Sequence, residues 1–132
     1  MQTPQLFRII IPVRDIDEAA AFYETLLALA GRRVAPGRHY FDCGATILAC
    51  VDAGREGSTA EFRPNPEHVY FAVENLEAAL GRASEAGCRT LDVHGQGEGI
   101  ATRPWGERSF YVHDPSGNPL CVVEAGTEFT GR

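Results

Sequence analysis

Arg8, in "FRIIIPV", and His68, in "HVYFAV", stand sixty residues apart, each at the start of a short apolar run. A guanidinium is a fixed cation with donors only, so it pairs with carboxylates or phosphates and cannot ligate a metal at neutral pH. An imidazole can act as acid, base, ligand or simple hydrogen-bond partner. Arg8 could therefore meet an anionic ligand group or a protein carboxylate, and His68 could serve a site or be a satisfied core histidine. Cys121, in "PLCVVE", could be a nucleophile if His68 or Arg8 stabilised its thiolate. No third group stands ready to orient such a dyad, and a buried free thiol behaves as a small apolar side chain. His113 beside Asp114 has the composition of a general base next to a carboxylate, or of a surface histidine beside a turn. Trp105 is the only tryptophan and follows the Gly-rich "HGQGEGIATR". A flexible loop before an aromatic wall suits a pocket that closes over a flat ligand; packing against a second subunit is the alternative. Asp42 could help bind a cation, whereas His39 and His94, near loops, carry no functional expectation.

The elements that must hold these residues are written twice. With Val13 set on Val73, Arg8 falls on His68, Ile9 on Val69, Ile11 on Phe71, Asp15 on Asn75 and Ala19 on Ala79. Residues 6–13 are rich in β-branched side chains and read as a strand. Asp15, with Glu18 three residues on, reads as a helix cap, and Ile16, Ala20, Tyr23, Leu27 and Ala30 then recur at helical spacing up to Gly31. In the second copy Asn75 caps, Leu76, Ala79, Leu80, Ala83 and Ala86 form the stripe, and Gly87 ends it. Strands are expected over 32–35, 38–43 and 46–51 after the first helix, and over 88–93, 107–113 and 119–124 after the second, with "DPSGN" as the last turn. This predicts an α+β chain of two paired βαβββ modules in a single domain spanning 1–132. Module one covers about 5–52, a Gly- and Pro-bearing linker about 53–66, and module two about 67–126. Side chains alternate along a strand, so Arg8 shares a face with Ile10 and Pro12, and His68 with Tyr70 and Ala72, both away from the helices. Tyr111 and His113 alternate with Phe110 and Val112, and which face of the last strand holds Cys121 stays open.

Composition bounds the rest. The chain has 132 residues and a formal net charge of −6, which argues against nucleic acid and favours neutral or cationic partners. No apolar run approaches the ~20 residues of a membrane span. The start "MQTPQLFRII" lacks the marks of a signal peptide, so a cytoplasmic protein with its four cysteines as free thiols is expected.

Three stretches, "VRDIDEAAAFY", "HVYFAVENLEAAL" and "RPWGERSFYVHDPSGNPLCVVE", resemble the vicinal oxygen chelate superfamily of glyoxalases, bleomycin resistance proteins and extradiol dioxygenases. The resemblance covers nearly the whole chain. It implies modules whose mixed sheets curl around a pocket, in a homodimer. Metal-using members typically place ligands on the first and last strands of each module. Here those positions hold Arg8, His68 and Cys121, with Cys50 in the remaining stretch "TILACV". Only His68 matches the usual set. A soft zinc site from His68, Cys121 and Cys50, or ligands elsewhere such as His113 or Glu124, are the remaining options. In bleomycin-binding members the residue matching Trp105 stacks on the ligand. The resemblance thus points to a small-molecule-binding protein, related to antibiotic-resistance members and without a catalytic metal. Its ligand residues would be Arg8, His68, Tyr70, Trp105, Tyr111 and Cys121. The alternative is a metal-dependent lyase, isomerase or dioxygenase with a non-standard divalent site that includes His68 and Cys121.

Overall fold

The computed structural model describes residues 3–132. Module one contains β1 (Arg8–Pro12), α1 (Ile16–Leu27), β2 (Arg32–Ala35), β3 (Arg38–Cys43) and β4 (Thr46–Val51). Module two contains β5 (Val69–Val73), α2 (Leu76–Glu85), β6 (Ala101–Thr102), β7 (Arg108–His113) and β8 (Pro119–Glu124). Each builds a four-stranded mixed sheet, ordered β1-β4-β3-β2 and β5-β8-β7-β6. The repeat extends to register: β1 runs parallel to β4 with Ile9 opposite Leu48, and β5 parallel to β8 with Val69 opposite Leu120. This is the expected α+β pairing of two curled sheets.

Local chemistry explains the helices. Asp15 Oδ1 accepts from the backbone N–H groups of Asp17 and Glu18 at 2.9 and 3.1 Å, capping α1. Asn75 Oδ1 accepts from Ala78 N at 2.9 Å at the start of α2. Gly87 ends α2 as its type requires, with φ 88° and Cys88 N bonded back to Ala83 O. The first helix ends differently from the sequence expectation. It stops at Leu27, and Ala28 adopts the left-handed conformation, φ 53°. Gly31 is there for space: a Cβ on it would lie 2.6 Å from His39 Nε2 and 2.7 Å from Phe41 Cε1.

One strand expectation also fails. Residues 88–93 form no strand; Leu91 makes a single antiparallel bridge to Tyr111, and the fourth strand of that sheet is the short β6 at Ala101–Thr102. The chain between them, rich in glycines with positive φ at Gly95, Gly97 and Gly99, turns instead of pairing. No regular element occurs between Val51 and Val69, in keeping with a crossing segment.

The two modules share one core. Ile11, Val13, Ile16, Tyr23, Leu26 and Leu48 of module one pack in the same cluster as Leu76, Ala83, Phe110, Val112, Leu120 and Val122 of module two. The "DPSGN" turn latches them together. Asp114 Oδ1 accepts from Ser116 N and Asn118 N, both at 2.9 Å. Its other oxygen, Oδ2, accepts from the Tyr23 hydroxyl at 2.6 Å and from Asn118 Nδ2 at 2.8 Å. Asn118 Nδ2 also donates to Pro12 O at 2.6 Å, and its Oδ1 accepts from Asn65 N at 2.8 Å. Ser116 Oγ accepts from Arg14 N. The most specific motif in the sequence is therefore a structural fastener.

Candidate functional site

Packing fixes which face each strand residue occupies. Val69, Phe71, Val73, Phe110, Val112, Leu120 and Val122 join the helix-side core. Tyr111, Cys121 and Val123 form a separate cluster with Leu91 on the opposite face. Cys121 therefore points to the face away from the helices, where the alternation also puts His68 and Tyr70. Register makes the row explicit: Tyr70 lies opposite Cys121, Cys121 opposite Tyr111, and Tyr111 opposite Leu91.

Four of the six expected ligand residues come together here, and a fifth joins through an intermediary. The His68 ring stands edge-on to Tyr111, centroids 5.2 Å apart, and 6.2 Å from Tyr70. Trp105 is reached through His94, whose ring lies 4.9 Å from the indole and 5.2 Å from Tyr111. His94 Nε2 is 3.0 Å from the Tyr111 hydroxyl. Tyr111 and Cys121 are fully buried and form the floor, while Tyr70 and Trp105 remain exposed above it. Arg8 is elsewhere. It lies on module one's sheet opposite Ile47, exposed, with its guanidinium 4.9 Å from the Phe7 ring and 5.9 Å from Tyr40. Among the described residues it forms no ion pair.

Three contributors carried no functional expectation from the sequence. Arg103, 2% exposed, donates through Nε and Nη2 to Ser109 Oγ and O at 2.9 Å. Its guanidinium lies 4.9 Å from the Tyr111 ring centroid, and Nη1 has no hydrogen-bond partner among the described residues. Glu107, also buried, accepts from Trp105 Nε1 at 2.9 Å. His94 completes the aromatic wall. All three sit on segments whose course over the sheet is set by the Leu91 bridge and the short β6, and strand alternation says nothing about such segments. The "PWG" neighbourhood was their only signal.

Two hollows adjoin this face. One, of about 490 Å³, is lined by Tyr70, Ala72, His94, Trp105, Val123 and Phe129, with Glu107 and Glu128. The other, of about 670 Å³, lies in the seam where β5, an edge strand, meets module one; Leu6, Ile9, Leu29, Leu48, His68 and Tyr70 line it.

Electrostatics favours neutral side chains on the floor. Burial, helped by neighbouring His113 and His94, holds the His68 pKa below its ordinary value, so the ring is neutral at pH 7. Burial pushes the Cys121 thiol up to about 11 and raises the Tyr111 phenol. A thiol so raised is protonated at neutral pH and is a poor nucleophile or ligand.

The donor set does not fit a metal of the kind the resemblance implies. Among the described residues no three His, Cys, Asp or Glu side chains converge as a metal would require. Cys50 packs in the helix-side core, and burial, with the Asp114 and Cys43 charges, pushes its thiol up to about 12. Glu124 is tied to Arg108, which also binds Glu77 on α2. Asp42 is held by Arg32 through two bonds of 2.9 and 3.1 Å. The His113 side chain is exposed, and its neighbour Asp114 is spent in the latch.

Comparison with known proteins agrees with this architecture. Residues 5–122 match the family model of the Glyoxalase/Bleomycin resistance protein/Dioxygenase superfamily, and the chain belongs to that superfamily. Nothing among the curated proteins matches it. Among solved structures it resembles Oxidase ChaP-H2, with a TM-score of 0.76, 22% identity and coverage of 98% of this chain and 100% of that one. An integron cassette protein from the mobile metagenome of V. cholerae superposes with a TM-score of 0.70, 23% identity and coverage of 96% and 98%. A lactoylglutathione lyase from Agrobacterium tumefaciens gives 0.69, 21%, 95% and 96%. At these identities the likeness is one of fold. Among the described residues no helix is long and apolar enough to cross a membrane.

Proposed function

We propose that this protein binds a small, flat molecule on the open face of module two, without a catalytic metal and without converting it. The observation that carries this reading is the aromatic wall: His94 and Trp105 standing over a floor of Tyr111 and Cys121, with Tyr70 at the rim. Aromatic walls bind flat molecules by stacking, each ring pair being worth about 0.5–1.5 kcal/mol beyond area burial. Neutral His68 and a protonated Cys121 thiol suit a binding floor better than a reacting one. Arg8, opposite Ile47 on the other sheet, is available to an anionic edge of a ligand only if a second sheet approaches the first.

Such an approach is part of the proposal. We infer a cytoplasmic homodimer. Ile10 is 49% exposed and Tyr70 57%, at matching positions of the two repeats, and Leu6 and Phe7 are more exposed still. Exposed apolar side chains gathered at edge strands are what a partner covers. The four free thiols suit a reducing compartment.

The test is a ligand screen read by Trp105 fluorescence, with the compound recovered and weighed by mass spectrometry. Saturable quenching with the compound unchanged supports binding; a converted product overturns it. Elemental analysis of untagged protein runs beside it. Roughly one metal per chain, lost in His68→Ala, replaces this reading with that of a metal-dependent lyase, isomerase or dioxygenase.

A further inference from the structure

The superfamily match ends at residue 122, yet the chain continues past β8 and returns to the aromatic groove. Two tail residues, Glu128 and Phe129, line that groove together with Trp105. The return is fixed by hydrogen bonds. Thr127 Oγ1 accepts from Arg108 N at 3.1 Å and donates to Glu124 O at 2.7 Å. Glu128 Oε1 accepts from Gly126 N at 2.6 Å. The decisive contact is Glu107. Its Oε1 accepts from the Trp105 indole N–H and its Oε2 from the Phe129 backbone N–H, each at 2.9 Å. One buried carboxylate thus clasps a wall of the groove with one oxygen and the tail with the other.

The groove's charge is equally one-sided. Its lining holds the carboxylates of Glu107 and Glu128 and no lysine or arginine; Arg103 does not line it. The aromatic side chains of Tyr70, His94, Trp105 and Phe129 supply ring faces and edges. Ring faces and carboxylates both attract cations.

From these observations we propose that the C-terminal segment is part of the ligand site. Phe129 forms its second aromatic wall, Glu107 is the positioning residue that joins that wall to Trp105, and the slot between them takes a planar cation. This rests on the binding reading above and adds the ligand's charge and a wall from outside the matched family region. Phe129 is 61% exposed while its backbone is tied down. Such a side chain is placed for contact with something the chain itself does not supply.

Two readouts on the full-length protein separate the claims. Acrylamide quenching of Trp105 needs no ligand. In Glu107→Gln the amide keeps one acceptor but turns an N–H₂ toward one of the two donors, so one arm of the clasp opens. Quenching is expected to rise about twofold in Glu107→Gln and in Phe129→Ala, with the thermal midpoint of Phe129→Ala near that of the parent. Proflavine, a planar cation, and 2-naphthalenesulfonate, a planar anion, then probe the slot. Proflavine is expected to bind at least about tenfold more tightly than the sulfonate, and to lose about tenfold in Phe129→Ala. Glu128→Gln is expected to weaken proflavine and not the sulfonate. Unchanged acrylamide quenching together with unchanged proflavine affinity in Phe129→Ala overturns the tail as a wall, while leaving the groove as a binding site. A parent protein that prefers the sulfonate, or binds neither dye, overturns the cation assignment.

Discussion

His39 shows how much a single side chain can reveal about solution behaviour. Arg33 Nε donates to its Nδ1 at 3.2 Å, so Nδ1 carries the lone pair and the proton sits on Nε2. That Nε2 is buried without a partner among the described residues, against Gly31 and the Phe41 ring. Burial, and the Arg33 charge, lower its pKa from the ordinary value near 6.5; Glu24 and Asp17 oppose this more weakly. The folded protein therefore takes up the proton at lower pH than the unfolded chain does. Stability is full above about pH 6.5 and falls as pH drops through that value toward the folded pKa. Denaturant midpoints measured from pH 8 to 5 should decline, and His39→Gln should flatten part of the slope. His68, shifted in the same direction by burial, contributes to the same decline. At the neighbouring turn, Gly31→Ala should cost about 1–3 kcal/mol through overpacking. Ala28→Gly, relieving the positive φ at the end of α1, should gain up to about 1 kcal/mol in the same denaturant assay.

Among the elements, the β7–β8 turn matters most. Asn118→Ala removes donors to Pro12 O and Asp114 and an acceptor for Asn65 N, leaving buried groups unpaired. Chemical denaturation should register a loss of about 2–4 kcal/mol. Tyr23→Phe, which deletes one bond to Asp114, should lose about 1–2 kcal/mol. Both should leave the aromatic groove's ligand affinity unchanged, since neither residue lines it. The elements themselves were largely legible from the chain. Seven of the eight strands fall where β-branched runs and turn residues put them, because those signals are local. The 88–93 stretch failed because its single Leu91 bridge is decided by how the glycine-bearing loop beyond it crosses the sheet. The site was half legible for the same reason. Alternation put His68 and Tyr70 on one face and left the face of Tyr111 to the structure, while Glu107, Arg103 and His94 act from loops. Arg8 and His68 were expected at equivalent positions of the two repeats, and each stands at the start of the edge strand of its own sheet.

For the whole molecule, the proposed dimer gives the clearest measurement. Sedimentation velocity on the purified protein should yield a species of twice the chain mass of 14.4 kDa. Ile10→Lys, placing a charge at the exposed centre of β1, should shift it toward monomer without changing the far-ultraviolet spectrum. A monomer at all concentrations in the parent protein would count against the assembly. It would leave the groove on module two intact, because every residue lining that groove comes from one chain.

The latch has a consequence in time as well as in space. Asn118 and Pro12 are separated by 106 residues, and Tyr23 and Asp114 by 91. Contacts of such sequence separation carry a high loop-closure cost and form late. During synthesis module one must emerge and wait for these contacts until Asp114 and Asn118 have left the ribosome. The duplicated units look like two independent beads, yet the first bead is completed only by the last turn of the second.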